Sequence, residues 1–146
     1  MTGMLDEISY VHCLELLRCG ELGRIALDVD GVPVIMPVNY RLVETAHRTW
    51  IAVRTRPGNV LDRDRAPVGF EIDHVDHGSR EGWSVLVRGI LLRVDRTAAA
   101  FDVLFDPSPW VVDERDRWLV IEPFSVTGRR LQVRDVEQSQ TTLFFR

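Results

Sequence analysis

The sequence predicts a mainly β protein, an antiparallel barrel of six strands with a few peripheral helices. Most of its apolar runs are short and alternate with polar residues, which is typical of half-buried strands. Short turns join these runs, and Asp30-Gly31 is a strong two-residue hairpin signal. A doubly wound sheet would require regular alternation of strands and helices. A barrel is therefore favoured, and closing it also removes exposed sheet edges.

The first elements predicted are a helix and a hairpin. Ser9 is suited to cap the helix, apolar residues follow at helical spacing, and Gly20 ends it. Residues 22–29 and 32–40 are predicted as the two strands of the hairpin. Pro33 and Pro37 lack an N–H group, so the second strand must lie at an edge, contain a bulge, or pass from one neighbour to another.

The rest of the chain is predicted to contain four more strands and two helices. The strands are expected at residues 49–55, 68–75, 83–94 and 118–122, with a continuation past Pro123 to residue 131 left open. The helices are expected at residues 57–64 and 97–105. Gly89, inside the fifth strand, indicates a bend or a close backbone approach.

Length and composition predict one soluble domain over residues 1–146, with mobile termini at 1–8 and 132–146. The chain is 45% hydrophobic and 27% charged, with a formal net charge of -4. This charge argues against general binding to nucleic acid or acidic membranes. Cys13 and Cys19 lie on one predicted helix, roughly 9 Å apart and on different faces, too far for a disulfide. We therefore expect reduced thiols and a cytoplasmic protein without a signal peptide.

Residues 54–59 raise two possibilities of similar weight. Arg54 and Arg56 flank Thr55 at the end of a strand, and Pro57-Gly58 follows. The arginines, the hydroxyl and the N-terminus of a helix beginning at Pro57 could together bind a phosphate. The alternative is an ordinary solvated strand end. Composition alone does not decide between them.

Three other segments are weaker candidates. Residues 37–40, Pro-Val-Asn-Tyr, leave backbone groups available to the imide edge of a heterocycle, but taken alone they are better explained as an edge strand protected by proline. Trp83 and its neighbour Ser84 could line a pocket or belong to the core. His74 and His77 have the spacing of metal ligands, but the sequence offers no third ligand cluster, so we predict no metal site.

Taken in order, these segments resemble the pyridoxamine 5'-phosphate oxidase-like family, the flavin-binding split barrels, in its small actinobacterial-type branch. The likeness spans roughly residues 5–131. It is carried by five stretches of sequence: PVNY (37–40), VRTRPGN (53–59), GWSVLVRG (82–89), DPSPW (106–110) and WLVIEPFSVTGRRL (118–131).

The resemblance implies a six-stranded split barrel that forms a homodimer with two FMN sites at the interface. In the family the strand matching residues 37–40 lies beside the flavin ring, and the residues matching Arg54 and Thr55 bind the phosphate and ribityl chain. The cofactor-binding positions implied here are Pro37, Val38, Asn39, Tyr40, Arg54, Thr55, Asn59, Trp83, Ser84, Val85 and Trp110, the last from the partner subunit. Arg129 and Arg130 match a further family feature.

Two departures from the family qualify this expectation. Relatives have a phosphate-binding lysine where this chain has Asn59, a loss worth about 1.5–3 kcal/mol unless Arg56 or Arg63 compensates. Residues 132–146 hold no counterpart of the basic segment that binds the substrate phosphate in pyridoxamine-phosphate oxidases. The resemblance thus implies an FMN-dependent oxidoreductase acting on an unidentified small substrate. The alternative is a non-catalytic protein that binds flavin, deazaflavin or haem, with His74 or His77 as haem ligand. The sequence identifies no catalytic acid or base.

Overall fold

Seven strands form one antiparallel sheet, and a helix packs against it. The computed structural model describes residues 2–94 and 117–134, and the side chains of residues 5–94 and 117–132. The elements are β1 (Thr2–Ile8), α1 (Tyr10–Cys19), β2 (Leu22–Val29), β3 (Val32–Glu44), β4 (Thr49–Thr55), β5 (Ala66–Asp76), β6 (Glu81–Arg93) and β7 (Arg117–Arg134).

The strand order closes six of these strands into a ring. The sheet runs β1-β7-β4-β3-β2-β5-β6, and β6 also pairs with β7. The predicted antiparallel barrel is therefore confirmed, but the sheet has seven strands, because β1 pairs with the end of β7. The sequence analysis gave residues 1–8 no regular element and expected a mobile terminus. Pairing with a strand some 120 residues away is a non-local contact that their composition does not reveal.

Strand β3 changes partner midway, which explains its two prolines. Residues 32–39 pair with β2, whereas residues 40–44 pair with β4. Pro33 and Pro37 lie in the first half, whose other edge has no β-partner within the described residues. The prediction that this strand passes between neighbours is confirmed. The change of partner also carries β3 past residue 40, where the sequence analysis ended it.

Strand β7 is one continuous strand of 18 residues and contains a bulge. Gly89 pairs with Pro123 while Arg88 pairs with Ser125, so Phe124 is the extra residue. A Cβ atom at Gly89 would collide with the carbonyl oxygen of Glu122. The close backbone approach predicted at Gly89 is confirmed.

The core consists of apolar side chains from the inner faces of the strands together with two residues of α1. Its largest fully buried members are Phe70, Leu17, Ile25, Ile51, Leu91, Leu119, Ile121, Val53, Val85, Val87 and Cys13. The Ser9 hydroxyl caps α1 by accepting the N–H of His12 at 3.2 Å, as predicted. The hydroxyl of Tyr40 donates to the Leu17 carbonyl at 2.7 Å and so fastens the end of α1 to β3.

The helix predicted at residues 57–64 is not formed, and turns occupy that segment. Gly58 adopts a φ of 82°, outside the helical region, and its N–H donates to the Asp62 carboxylate at 3.0 Å. Proline is a common first residue of helices, which is why a helix was predicted to begin at Pro57. The turn forms instead because Asp62 stabilises it. The predicted helix at 97–105 lies outside the described residues, as do residues 135–146.

Candidate functional site

The candidate site lies where β3 separates from β4. Tyr40 and Val53 form the last pair between the two strands, so Asn39 and Arg54 would be the next. The N–H of Tyr40 donates to the Glu21 carbonyl at 3.0 Å, so the backbone N–H and C=O groups of even-numbered residues in β3 point toward β2. Because backbone groups alternate in a strand, those of Pro37 and Asn39 face the other way, into the gap. The gap is therefore lined on one side by backbone groups that no described strand pairs with.

The end of β4 forms the other side of this gap. Arg54 is exposed, and its guanidinium carbon lies 5.8 Å from the centroid of the Trp118 ring. Thr55 is the buried polar residue of the described core, 8% exposed. A cation–π contact of this kind helps to hold a guanidinium in place. Asn39 and Arg54, both predicted cofactor contacts, thus lie at facing positions on the outer surface.

Val38 and Tyr40 differ from the other predicted ring contacts. Their side chains point into the barrel and are buried in the core. Burial raises the pKa of Tyr40 to about 12, and its hydroxyl is committed to Leu17. At positions 38 and 40 only backbone groups are therefore available to a flavin. The side chains of Pro37 and Asn39, in contrast, are exposed.

The turn after β4 is organised by Asp62. The Asp62 side chain is only 7% exposed and lies 3.1 Å from Nε of Arg93 and 3.0 Å from Nε of Arg117. It also accepts the N–H of Gly58. That backbone hydrogen bond, followed by the two arginines, lowers the pKa of the Asp62 carboxyl group below its usual value. The turn that would border a phosphate is thus held to the ends of β6 and β7 by one carboxylate.

Asn59, where the resemblance implies a lysine in relatives, has a structural role in the same turn. Its Oδ1 atom accepts the N–H of Leu61 at 3.1 Å. Arg63 donates to the carbonyls of Val60 and Asp28, at 3.0 and 3.2 Å, so its guanidinium is committed to the fold. Of the two arginines considered as substitutes for the lysine, Arg56 is the exposed one, and it directly follows Thr55 at the end of β4.

Trp83, Ser84 and Val85 are not brought to this gap within one chain. The path along the sheet from the gap to this segment crosses β3, β2, β5 and β6. The paired residues on this path are Pro37, Arg24, Glu71 and Leu86. Three strand spacings of about 4.8 Å separate the gap from residues 83–85 by roughly 14 Å along the sheet. Arg129 and Arg130, on β7, pair with Ser84 and Trp83 and lie one strand farther along the sheet. Trp110 lies outside the described residues.

The histidine pair is also remote from the gap. His74 lies near the end of β5 and His77 in the exposed turn that follows, and the His74 ring centroid is 6.2 Å from that of Trp83. Over the described parts of the chain, no three His, Cys, Asp or Glu residues form a group suited to a metal ion. Neither Cys13 nor Cys19 is in a disulfide.

The sequence analysis missed two residues that shape the site, Asp62 and Trp118. Asp62 lies in a run of alternating Asp and Arg that is typical of a solvated loop. Trp118 stands beside Arg54 because β7 pairs with β4, a contact over more than sixty residues. No local signal marks either role.

The arrangement suits a planar ligand that carries an anionic tail. The edge of β3 presents the N–H of Asn39 and carbonyl groups, which complement an imide. The opposite side presents the guanidinium of Arg54, held against the Trp118 ring, and Arg56 follows two residues later. These positive charges complement a phosphate. Within residues 2–94 and 117–134, no helix has the length and hydropathy of a membrane span.

Comparisons with known proteins identify the family of this chain. The family model for pyridoxamine 5'-phosphate oxidase matches residues 11–130. The uncharacterized protein Rv0080 of Mycobacterium tuberculosis is 31% identical over 133 residues, which are 86% of this chain and 84% of that protein.

Two solved structures extend the likeness to three dimensions. The FAD binding protein from Mycobacterium smegmatis is 31% identical, with a TM-score of 0.72 over 88% of this chain and 100% of that one. The conserved protein DIP1874 from Corynebacterium diphtheriae is 26% identical, with a TM-score of 0.71 over 88% and 98%. The chain described above therefore belongs to the pyridoxamine 5'-phosphate oxidase family and has its flavin-binding split-barrel fold.

Proposed function

We propose that this protein binds FMN in the gap between β3 and β4 and acts as an FMN-dependent oxidoreductase on a small, unidentified substrate. One observation carries the binding proposal: the unpaired edge of β3 faces the strand end that carries Arg54 and Thr55. This gap offers hydrogen bonds for an imide on one side and a cation for a phosphate on the other.

The flavin would supply the redox chemistry, and the chain would bind and orient it. The N–H of Asn39 faces the gap and would donate to the ring, and the N–H of Val38 faces β2 and would not. Arg54, positioned by Trp118, would bind the phosphate. The Asp62 turn would fix the position of Arg56 next to it.

The test is a flavin fluorescence titration with FMN and riboflavin, which differ by the phosphate. Arg54→Ala should weaken FMN binding about 10- to 100-fold, the value of a charge-assisted contact, and change riboflavin binding less than two-fold. Arg88→Ala on β6 is the matched control, because Arg88 is also exposed and contacts an aromatic ring, that of Phe124, at 5.5 Å. Equal losses for FMN and riboflavin contradict the phosphate role of Arg54. Binding of neither ligand by the wild-type protein contradicts the flavin proposal.

FAD is the second cofactor to test, because the Mycobacterium smegmatis relative is an FAD binding protein. FAD carries a second phosphate and an adenosine. Tighter binding of FAD than of FMN would move the assignment to the dinucleotide at the same gap. The haem alternative has less support, since His74 and His77 lie far from the gap.

Catalysis is tested separately from binding. The flavin-loaded protein is reduced anaerobically and mixed with dioxygen or with quinones. Electron transfer faster than from free reduced FMN supports the oxidoreductase proposal. Transfer no faster than from free flavin leaves a non-catalytic flavin-binding protein.

We also propose a cytoplasmic homodimer. Two thiols outside any disulfide agree with a reducing compartment. Since residues 83–85 lie roughly 14 Å from the gap within one chain, they would reach a flavin from a partner subunit. Exposed apolar residues on the β2–β3 hairpin support such an interface.

A further inference from the structure

A cavity of about 340 Å³ lies at the other end of β4, away from Arg54 and Thr55. It opens between α1 and the mouth of the barrel, next to the β3–β4 turn. Pairing between β4 and β7 ends there at Ile51 and Ile121. Immediately beyond this pair, β7 contains Pro123 and the bulge at Phe124. The cavity therefore lies where the neighbouring strands β4 and β7 stop pairing. The gap between β3 and β4, proposed above as the flavin site, arises in the same way at the opposite end of β4.

The inner part of the cavity is apolar. Side chains of α1 form one wall, and inward-facing side chains of β3, β4, β6 and β7 form the floor: Leu14, Leu17, Leu42, Ile51, Val87 and Val126. None of these carries a polar atom, so the inner part suits the apolar body of a ligand. Its volume is within the ~300–1,000 Å³ typical of small-molecule pockets, at the lower end.

The rim, in contrast, is polar and charged. His47 and Arg48 come from the β3–β4 turn, and Glu122 comes from β7. The turn is ordered by Thr45, whose hydroxyl accepts the N–H groups of His47 and Arg48 at 3.4 and 3.1 Å. Within the described residues, neither the Arg48 guanidinium nor the Glu122 carboxylate forms an ion pair, so both can act on a bound molecule.

We propose that this cavity is a second small-molecule site, which binds a compound with an aromatic or aliphatic body and one anionic head group. The body packs on the leucines of α1 and the inner faces of the strands, where a charge would be costly to bury. The head group stays at the rim on Arg48, with His47 beside it. Glu122 repels a second negative charge, which favours a monoanion over a phosphate ester.

The experiment uses two dyes with nearly the same aromatic body, one anionic and one neutral. Anilinonaphthalene sulfonate and N-phenylnaphthylamine both become fluorescent in apolar surroundings. The protein should bind both saturably. Arg48→Ala should weaken the sulfonate about 10-fold and change the neutral dye less than two-fold. Glu122→Gln should leave sulfonate binding unchanged or tighten it, and Arg41→Ala, outside the cavity, should change neither.

Two further arms locate the site. Leu14→Trp, which fills the cavity, should abolish binding of both dyes in a folded variant. Saturating FMN should leave the sulfonate affinity unchanged, because the flavin gap lies at the other end of β4. The proposal is overturned if Arg48→Ala weakens both dyes equally or neither, or if FMN competes with the sulfonate. Since Arg48 lies on an exposed turn, this variant decides the matter even if Leu14→Trp does not fold.

Discussion

At the residue scale, Asn59 combines a structural role in the turn after β4 with an implied position beside the phosphate. Substitutions can separate these two roles. Its Oδ1 atom accepts the N–H of Leu61 within the turn, and the family resemblance implies a phosphate-binding lysine at this position. Asn59→Lys should tighten FMN binding about 10-fold through a new charge-assisted contact, and leave riboflavin binding unchanged. Fluorescence titration measures both ligands.

The control for this substitution is Asn59→Ala, which loses the same turn hydrogen bond and adds no charge. Both variants should be less stable than the wild type by about 0.5–1.5 kcal/mol in urea unfolding. Tighter FMN binding in the alanine variant as well would mean that loosening the turn, and not the added charge, is responsible.

Asp62 is expected to stabilise the protein in a pH-dependent way. Its pKa is lowered by the Gly58 N–H and by Arg117 and Arg93, from an ordinary value of 3.8. A lowered folded-state pKa gives stability that is present above the unfolded-state pKa and is lost as the pH falls through the folded-state pKa. Asp62→Asn should thus cost about 2 kcal/mol at neutral pH, and the difference from the wild type should shrink below pH 3.8.

Urea unfolding of the two proteins between pH 7 and pH 3 measures this difference. Asp64→Asn is the matched control, since the exposed Asp64 accepts the N–H of Arg93 at 3.0 Å, a hydrogen bond that an amide oxygen can also accept. A gap between wild type and Asp62→Asn that stays constant down to pH 3 would exclude the ion pairs as its cause.

At the element scale, local signals predicted the hairpin, α1 and most strands, and long-range contacts account for the errors. Asp30-Gly31 and the Ser9 cap act within a few residues, so the sequence displays them. The turn after Pro57 depends on Asp62, whose carboxylate is fixed by Arg93 and Arg117 from β6 and β7. Composition likewise left residues 54–59 undecided between a phosphate site and a solvated strand end, and only the family resemblance implied that Asn39 and Arg54 contact the same cofactor.

Two glycines in neighbouring strands should respond oppositely to the same substitution. A Cβ atom at Gly89 would collide with the Glu122 carbonyl at the β7 bulge, so Gly89→Ala should destabilise the protein by about 2 kcal/mol. At Gly69 the nearest atom to an added Cβ is that of Ala26, at 3.9 Å. Gly69→Ala should therefore be neutral or stabilise by about 0.5 kcal/mol.

Thermal and urea unfolding of both glycine variants decide whether the bulge is the cause. Similar destabilisation at the two positions would indicate a general cost of alanine on this sheet. Because the bulge also borders the cavity under α1, dye binding by Gly89→Ala reports whether a shift of β7 reaches that cavity.

At the scale of the whole molecule, one chain leaves part of its apolar surface exposed. Leu22 and Ile35 are 62% and 67% exposed on the β2–β3 hairpin, beside the edge that lines the gap between β3 and β4. Isolated exposed apolar residues are common, but a group of them next to an unpaired edge is typical of an interface. A homodimer built on this surface would also bring a second chain to the gap.

Ile35→Glu should therefore shift the protein from dimer to monomer, because a buried unpaired carboxylate is costly at an interface. Val11→Glu on α1 is the matched control, since Val11 is 66% exposed and lies away from the hairpin. Light scattering during size exclusion gives the mass of each variant, and FMN titration of the same samples gives its affinity. If residues 83–85 of a partner complete the site, FMN affinity should fall together with the dimer. A monomeric Ile35→Glu variant with wild-type FMN affinity would place the whole flavin site within one chain, and dissociation by Val11→Glu alone would place the interface on the helix.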